Sequence, residues 1–179
     1  MTIQVPIFGN QLGLDHNGQL VGNVHASLLG YTEEVLYNPM GLAKVTVTSA
    51  ELLALNATPK TLLAAAPTGF ANVFMGAALH KPAGTAYAGI AAGEDLVIKS
   101  TDASGEQVSS VIETTGFLDS TAVQSRYVGP KGSTSTTAAD TIMASAALVL
   151  HLLVGEITTG TGGLVVWVYF RRLPLVLTA

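Results

Sequence analysis

Near its end the chain carries two strand-length runs that are apolar almost throughout. They are Leu148-Val149-Leu150-His151-Leu152-Leu153-Val154 and Leu164-Val165-Val166-Trp167-Val168-Tyr169-Phe170. Both are bounded by turn residues, and the second is rich in the β-branched and aromatic residues that strands prefer. The Thr158–Gly163 segment between them is a Thr/Gly loop, so the pair predicts a hairpin of two strands, each buried on both faces or nearly so. Val165, Trp167 and Tyr169 would share one face of the second strand, Val166, Val168 and Phe170 the other, and Pro174 would stop it. A strand covered on both sides needs a layer above and below it, which points to packed sheets.

The preceding chain supplies the other layers. Lys44-Val45-Thr46-Val47 alternates polar and apolar residues, as a half-buried strand does. Thr48-Ser49-Ala50-Glu51 fits a capping box and predicts a short helix ending near Asn56, with Pro59 preventing much extension. Strands are expected at 61–65, 71–79, 95–101 and 122–128, with weak alternation at 108–114. Pro67-Thr68-Gly69, Lys81-Pro82-Ala83-Gly84 and Asp102-Ala103-Ser104-Gly105 mark turns, and 131–137 a polar loop. Strand-sized segments separated by turns, with one short helix, predict a mostly β fold. An antiparallel β-sandwich, jelly-roll-like in connectivity, is the first expectation, in a domain over residues 41–179.

Residues 1–40 differ from the rest. Apolar residues are scattered among asparagines and glycines without a sustained period, and Asp15-His16-Asn17-Gly18 is a turn signal. This composition predicts an extended N-terminal arm that orders on another surface. An ordinary N-terminal hairpin of the same domain is the competing reading.

Charge narrows the function classes. Only 11% of the 179 residues are charged, against roughly 25% in an average domain. A surface so poor in charge is expected to be hidden in part against neighbours. The alternative is a neutral, wettable coat of Ala, Gly, Ser and Thr. The net charge of −4 and the absence of a basic cluster disfavour nucleic-acid binding. Nothing near Met1 has the basic and long apolar regions of a secretion signal. The uncharged stretch 61–79 is broken by Pro67, Gly69, Asn72 and Gly76, so no membrane helix is expected.

Reactive constellations are sparse. With no cysteine, thiolate metal sites and cysteine nucleophiles are excluded. His16, His25, His80 and His151 have no metal-ligand spacing, and His151 reads as a hydrogen-bonded core histidine. Asp102, Ser104 and Glu106 resemble part of a calcium loop but fall short of a full ligand set, so a turn is expected. Glu33-Glu34 and Glu94-Asp95 read as solvated surface, and the Asn56-Ala57-Thr58 acceptor motif as chance. Phe70, Phe74, Phe117, Trp167, Tyr169 and Phe170 are expected in the core, a sugar-binding aromatic face being the alternative. No catalytic residue, metal ligand or cofactor site is therefore expected, and the chain is expected not to be an enzyme.

One further pattern is specific. The segment from Val45 through Glu51 to Pro59, followed by Thr61-Leu62-Leu63, resembles an opening segment of small structural proteins of tailed bacteriophages. Gly9-Asn10-Gln11-Leu12-Gly13-Leu14, Gly84-Thr85-Ala86-Tyr87-Ala88-Gly89 and Gly155-Glu156-Ile157-Thr158-Thr159-Gly160 look like further landmarks of that type, over most of residues 7–173. The resemblance implies a head decoration, or cement, protein on the outer surface of the virion capsid. Its partners would be itself, as a homodimer or homotrimer, and the major capsid protein. It carries no catalytic residues over. The arm then becomes the candidate clamp, with Phe8, Leu12, Leu14, Val21, Tyr31 and Tyr37 as candidate capsid contacts. The competing expectations are a tail or fibre module binding a host glycan, and a small hydrolase on a cupin-like barrel.

Overall fold

The computed structural model describes residues 3–7, 10–14, 20–21, 40–91, 93–132 and 142–175. The chain divides into two units, Met1–Pro39 and Met40–Ala179. The first contains three short strands, β1 (Ile3–Ile7), β2 (Asn10–Leu14) and β3 (Leu20–Val21), which pair antiparallel in that order. Extended chain is therefore organised here by local pairing.

Among the described residues the second unit has seven strands and one helix. The strands are β4 (Met40–Val47), β5 (Lys60–Leu63), β6 (Phe70–Lys81), β7 (Leu96–Ser100), β8 (Gln124–Val128), β9 (Leu148–Leu152) and β10 (Leu164–Pro174). They form an antiparallel four-stranded sheet, β4-β10-β6-β8, and an antiparallel three-stranded sheet, β5-β9-β7. Successive strands thus alternate between the two sheets, which is the connectivity of a jelly roll. The remaining strand position is filled by isolated bridges, Gln107 with Lys99 and Ile112 with Leu96, that run residues 107–112 along β7. The weak alternation at 108–114 marks this segment, which does not sustain a ladder.

One core lies between the sheets. Phe74, Leu79, Leu164, Val166 and Val168 face it from the four-stranded sheet, and Leu62, Leu96, Ile98, Leu148, Leu150 and Leu152 from the other. Each such side chain contributes about 1.5–3 kcal/mol by leaving water. Asn72 on β6 ties the layers together: its Nδ2 donates to the carbonyls of Ala64, just after β5 (2.9 Å), and Ala146, just before β9 (3.0 Å).

The helix α1 (Ser49–Leu53) begins as the sequence predicts. The backbone N–H of Glu51 donates to Thr48 Oγ1 (3.3 Å), and the N–H of Thr48 donates to Glu51 Oε2 (2.8 Å), closing both arms of the capping box. Lys60 Nζ adds a 2.5 Å bond to Glu51 Oε1. Helical geometry stops at Leu53, with turns continuing to Thr58, and Leu52 and Leu55 drop into the core.

Two sequence expectations are corrected. Strands β9 and β10 do not form a hairpin: they belong to different sheets, and the 153–163 connection crosses between layers. It is held there by Tyr87, whose Oη donates to the Gly162 carbonyl and whose ring occupies the space beside Gly160 that a Cβ would need. Nor is β10 buried on both faces. Leu164, Val166 and Val168 are buried, while Val165, Trp167 and Tyr169 are only half-buried, because the second sheet of this unit packs on the other side of β10.

Candidate interaction surface

The outward face of the four-stranded sheet follows from strand register, since residues paired across an antiparallel ladder point to the same side. One row is Lys44, Trp167, Ala78 and Tyr127; the next is Thr46, Val165, His80 and Ser125. Leu42 pairs with Tyr169, and Met40 with Arg171, towards the other end. A bulge in β6 lets Tyr169 pair with Gly76 and Phe170 with Phe74. Gly76 has φ +154°, and the Tyr127 phenol lies across it where a Cβ would stand.

Side-chain contacts agree with that register. Lys44 Nζ sits 5.8 Å from the centre of the Trp167 ring, and the His80 ring is tilted against it at 6.5 Å. His80 Nδ1 and Ser125 Oγ are hydrogen-bonded at 3.0 Å. The face is nevertheless open: Tyr127 is 71% exposed, Leu42 59% and Met40 58%. Isolated exposed apolar groups are ordinary; here they lie on the two edge strands, β4 and β8, with Trp167, Tyr169 and Ala78 half-buried between them, which makes the face a candidate contact surface.

Charge is segregated in the same way. Every lysine and arginine except Lys131 lies on a strand, while no strand among the described residues contains Asp or Glu. On the outward face Lys44 and Arg171 are exposed cations, and the described carboxylates of the second unit sit in α1 or in connections.

The aromatic residues therefore divide. Phe74 and Phe117 are core, the latter beneath the Arg126 guanidinium at 5.3 Å. Phe170 is half-buried with its ring over Gly41, and Phe70 is 36% exposed. Trp167 and Tyr169 belong to the outward face, contrary to the expectation of core positions, because the period of two sends alternate β10 residues outward.

The residues examined for chemistry are occupied structurally. His151 is buried, with Nε2 3.2 Å from the Asn56 carbonyl and Nδ1 unpartnered. Burial, and then the nearby Lys99 charge, lower its pKa against the opposing pull of that carbonyl. Asn56 is itself engaged, its Nδ2 donating to the Leu152 carbonyl (3.1 Å). Asp102 Oδ1 accepts from the Ser104 N–H (2.8 Å) and hydroxyl (2.7 Å), which makes the 102–105 segment a self-bonded turn and holds the carboxyl below its usual range. Glu94 and Asp95 accept bonds from the backbones of Ala91 and Thr114. Lys81, expected in a turn, is the fully buried end of β6, and its Nζ donates to the Ser120 carbonyl (2.6 Å). No signal in the sequence separates it from an exposed strand-end lysine. Among the described residues no three of His, Asp and Glu converge as a metal site would require.

A cavity of about 180 Å³ opens beside Asn72, Val108, Pro130, Ile142 and Met143, with the Glu106–Lys131 pair (3.6 Å) among its lining residues. Its one hydroxyl, Ser100 Oγ, is spent on the Glu106 backbone carbonyl (3.3 Å).

Of the candidate capsid contacts, Leu12 and Leu14 lie on β2 and Val21 on β3, while Phe8, Tyr31 and Tyr37 fall outside the described residues. The structure does not bring these six into a described site. No protein-family model, no curated protein and no solved structure matches this chain.

Proposed function

We propose that the chain is a non-enzymatic structural protein of a phage virion that binds the outer surface of the capsid and stabilises the head. The observation that carries this reading is the aromatic and aliphatic outward face of the four-stranded sheet, on a jelly roll whose Lys81, Asp102 and His151 are spent on contacts within the fold. A surface of this kind contributes by area, at roughly 25 cal/mol per Å² before ordering costs, and many identical copies on a lattice add their contacts. The segmental resemblance to phage structural proteins and the low charge support the same reading. The N-terminal unit remains the proposed clamp, with the second unit associating with copies of itself.

A tail or fibre module that binds a glycan is the second reading, and the Trp167–Tyr169–Tyr127 group is what favours it. Lys44 and His80 crowd the Trp167 ring, which leaves less of it free for a sugar. Quantifying the chain against the major shell protein in intact particles tests the proposal. A ratio near one to one, or a simple lattice fraction, is expected; a handful of copies per particle would assign it to the tail. Deleting residues 1–40 is expected to leave a folded oligomer that no longer binds capsids, and full occupancy by the truncated chain would refute the clamp.

A further inference from the structure

We infer that the outward face of the four-stranded sheet in one copy receives the acidic corner of a second copy, head to tail. This rests on the adhesive reading above and names the partner of that same surface.

The corner is built where β7 begins and β9 ends. Thr114 Oγ1 donates to the Glu94 carbonyl (2.7 Å) and its N–H to Asp95 Oδ1 (3.3 Å), placing Glu113 beside them. The Leu153 N–H donates to the Asp95 carbonyl (2.9 Å), and Gly155 packs on the Glu94 side chain, placing Glu156 there too. Glu113 and Glu156 are exposed, and so are the neighbouring apolar Val111 (48%) and Val154 (54%). The corner thus gathers four carboxylates, two of them exposed, with Val111 and Val154 exposed nearby in the chain, and the opposite layer presents an apolar face with Lys44 and Arg171. Among the described residues the ion pairs are Lys60–Glu51 and Lys131–Glu106, and neither involves a residue of the two patches.

The two patches sit on different layers of the sandwich and cannot meet within one copy. Stacking two outward faces about a two-fold axis would bring four cations together with no carboxylate between them. Like charges brought together oppose that arrangement. The chain itself supplies the complementary surface, which selects a second copy over an unrelated acidic partner. A heterologous contact of this kind closes into a ring when its rotation permits and otherwise runs open.

Sedimentation velocity of the full chain tests the contact, with circular dichroism checking that each variant folds. The wild type is expected to associate, and less so at high salt. Lys44→Glu and Glu156→Lys are each expected to raise the dissociation constant by about tenfold or more, and the double exchange Lys44→Glu/Glu156→Lys to restore much of the loss. Unchanged association in Lys44→Glu overturns the inference. So does a loss confined to Lys44→Glu with Glu156→Lys unaffected, which would place another partner on the face. Co-sedimentation of the same proteins with capsids separates this inference from the functional reading. A monomer that saturates capsids overturns the head-to-tail contact alone, and an intact oligomer that ignores capsids overturns the decoration role alone.

Discussion

The two sheets of the second unit are made from similar strands and end in opposite circumstances. In the three-stranded sheet, β9 is buried at every residue. Leu148, Leu150 and Leu152 face the core, while Val149 and His151, with Val97 of β7, are covered on the other side. Asn56, from the turns after α1, and Ala103, from the turn after β7, meet that outer side through His151 and Lys99. In the four-stranded sheet the inner face is equally dry, but on the outer face Leu42 and Tyr127 are exposed and Trp167 and Tyr169 only half-buried. The covered sheet spends its apolar residues on folding. The other sheet carries apolar surface beyond what its own fold uses, and that surplus is what the proposed contact would cover.

Substitutions on the two sheets should separate those uses. Leu150→Ala is expected to cost about 2–5 kcal/mol in denaturant unfolding, through lost burial and a residual cavity. Tyr127→Ala on the bare face is expected to change the stability of dilute protein by under about 1 kcal/mol. Equal losses at the two positions would erase the distinction. Asn72→Ala, which cuts the tie between the layers, is expected to cost about 1–3 kcal/mol by leaving the Ala146 carbonyl, in a buried residue, unpaired. Its Oδ1 and the Nε of its register partner Arg172 are both buried and unpartnered, one an acceptor and one a donor.

The covered sheet should also be the more pH-sensitive. His151 is held neutral by burial, so its folded pKa lies below the unfolded value of 6.5. Its contribution is complete above pH 6.5 and declines as pH falls towards the lowered folded value, because the unfolded chain then binds the proton more readily. Unfolding midpoints measured from pH 7.5 to 5 should show this decline, and His151→Leu should flatten it. A separate effect, at lower pH, is expected at the cap of α1. Lys60, and then the Thr48 N–H and hydroxyl, lower the Glu51 pKa from 4.5 to about 2. That stabilisation is present above pH 4.5 and is lost as pH falls through about 2, a dependence that Glu51→Gln should remove and added salt should weaken.

Much of this architecture is legible in the sequence. The Thr48–Glu51 capping box, the turns at Pro67-Thr68-Gly69 and Asp102–Gly105, and the alternation of β4 each depend on contacts a few residues apart, and each is found where the sequence predicts it. His151 also reads correctly, since a lone histidine in an apolar strand has few other fates. Layer assignment was not legible. Leu148–Leu152 and Leu164–Phe170 look alike as strings of apolar residues, yet one is covered twice and the other once. Coverage is decided by which distant segment lies above a strand, and no local period records that. The same limit hides the outward face, whose members come from β4, β6, β8 and β10 and meet only through register. The acidic corner likewise joins residues 94–95, 113 and 156 through backbone bonds that no spacing foretells.

Trp167 is the only tryptophan in the chain and stands in the middle of the bare face, so its fluorescence reports on that surface alone. Acrylamide quenching should be compared between the dilute protein and the assembled or capsid-bound protein. A marked fall in the quenching constant with a blue-shifted emission is expected on assembly, as water is driven off the face. Quenching that stays the same in every state would show the face bare while the protein works, and would contradict the central claim.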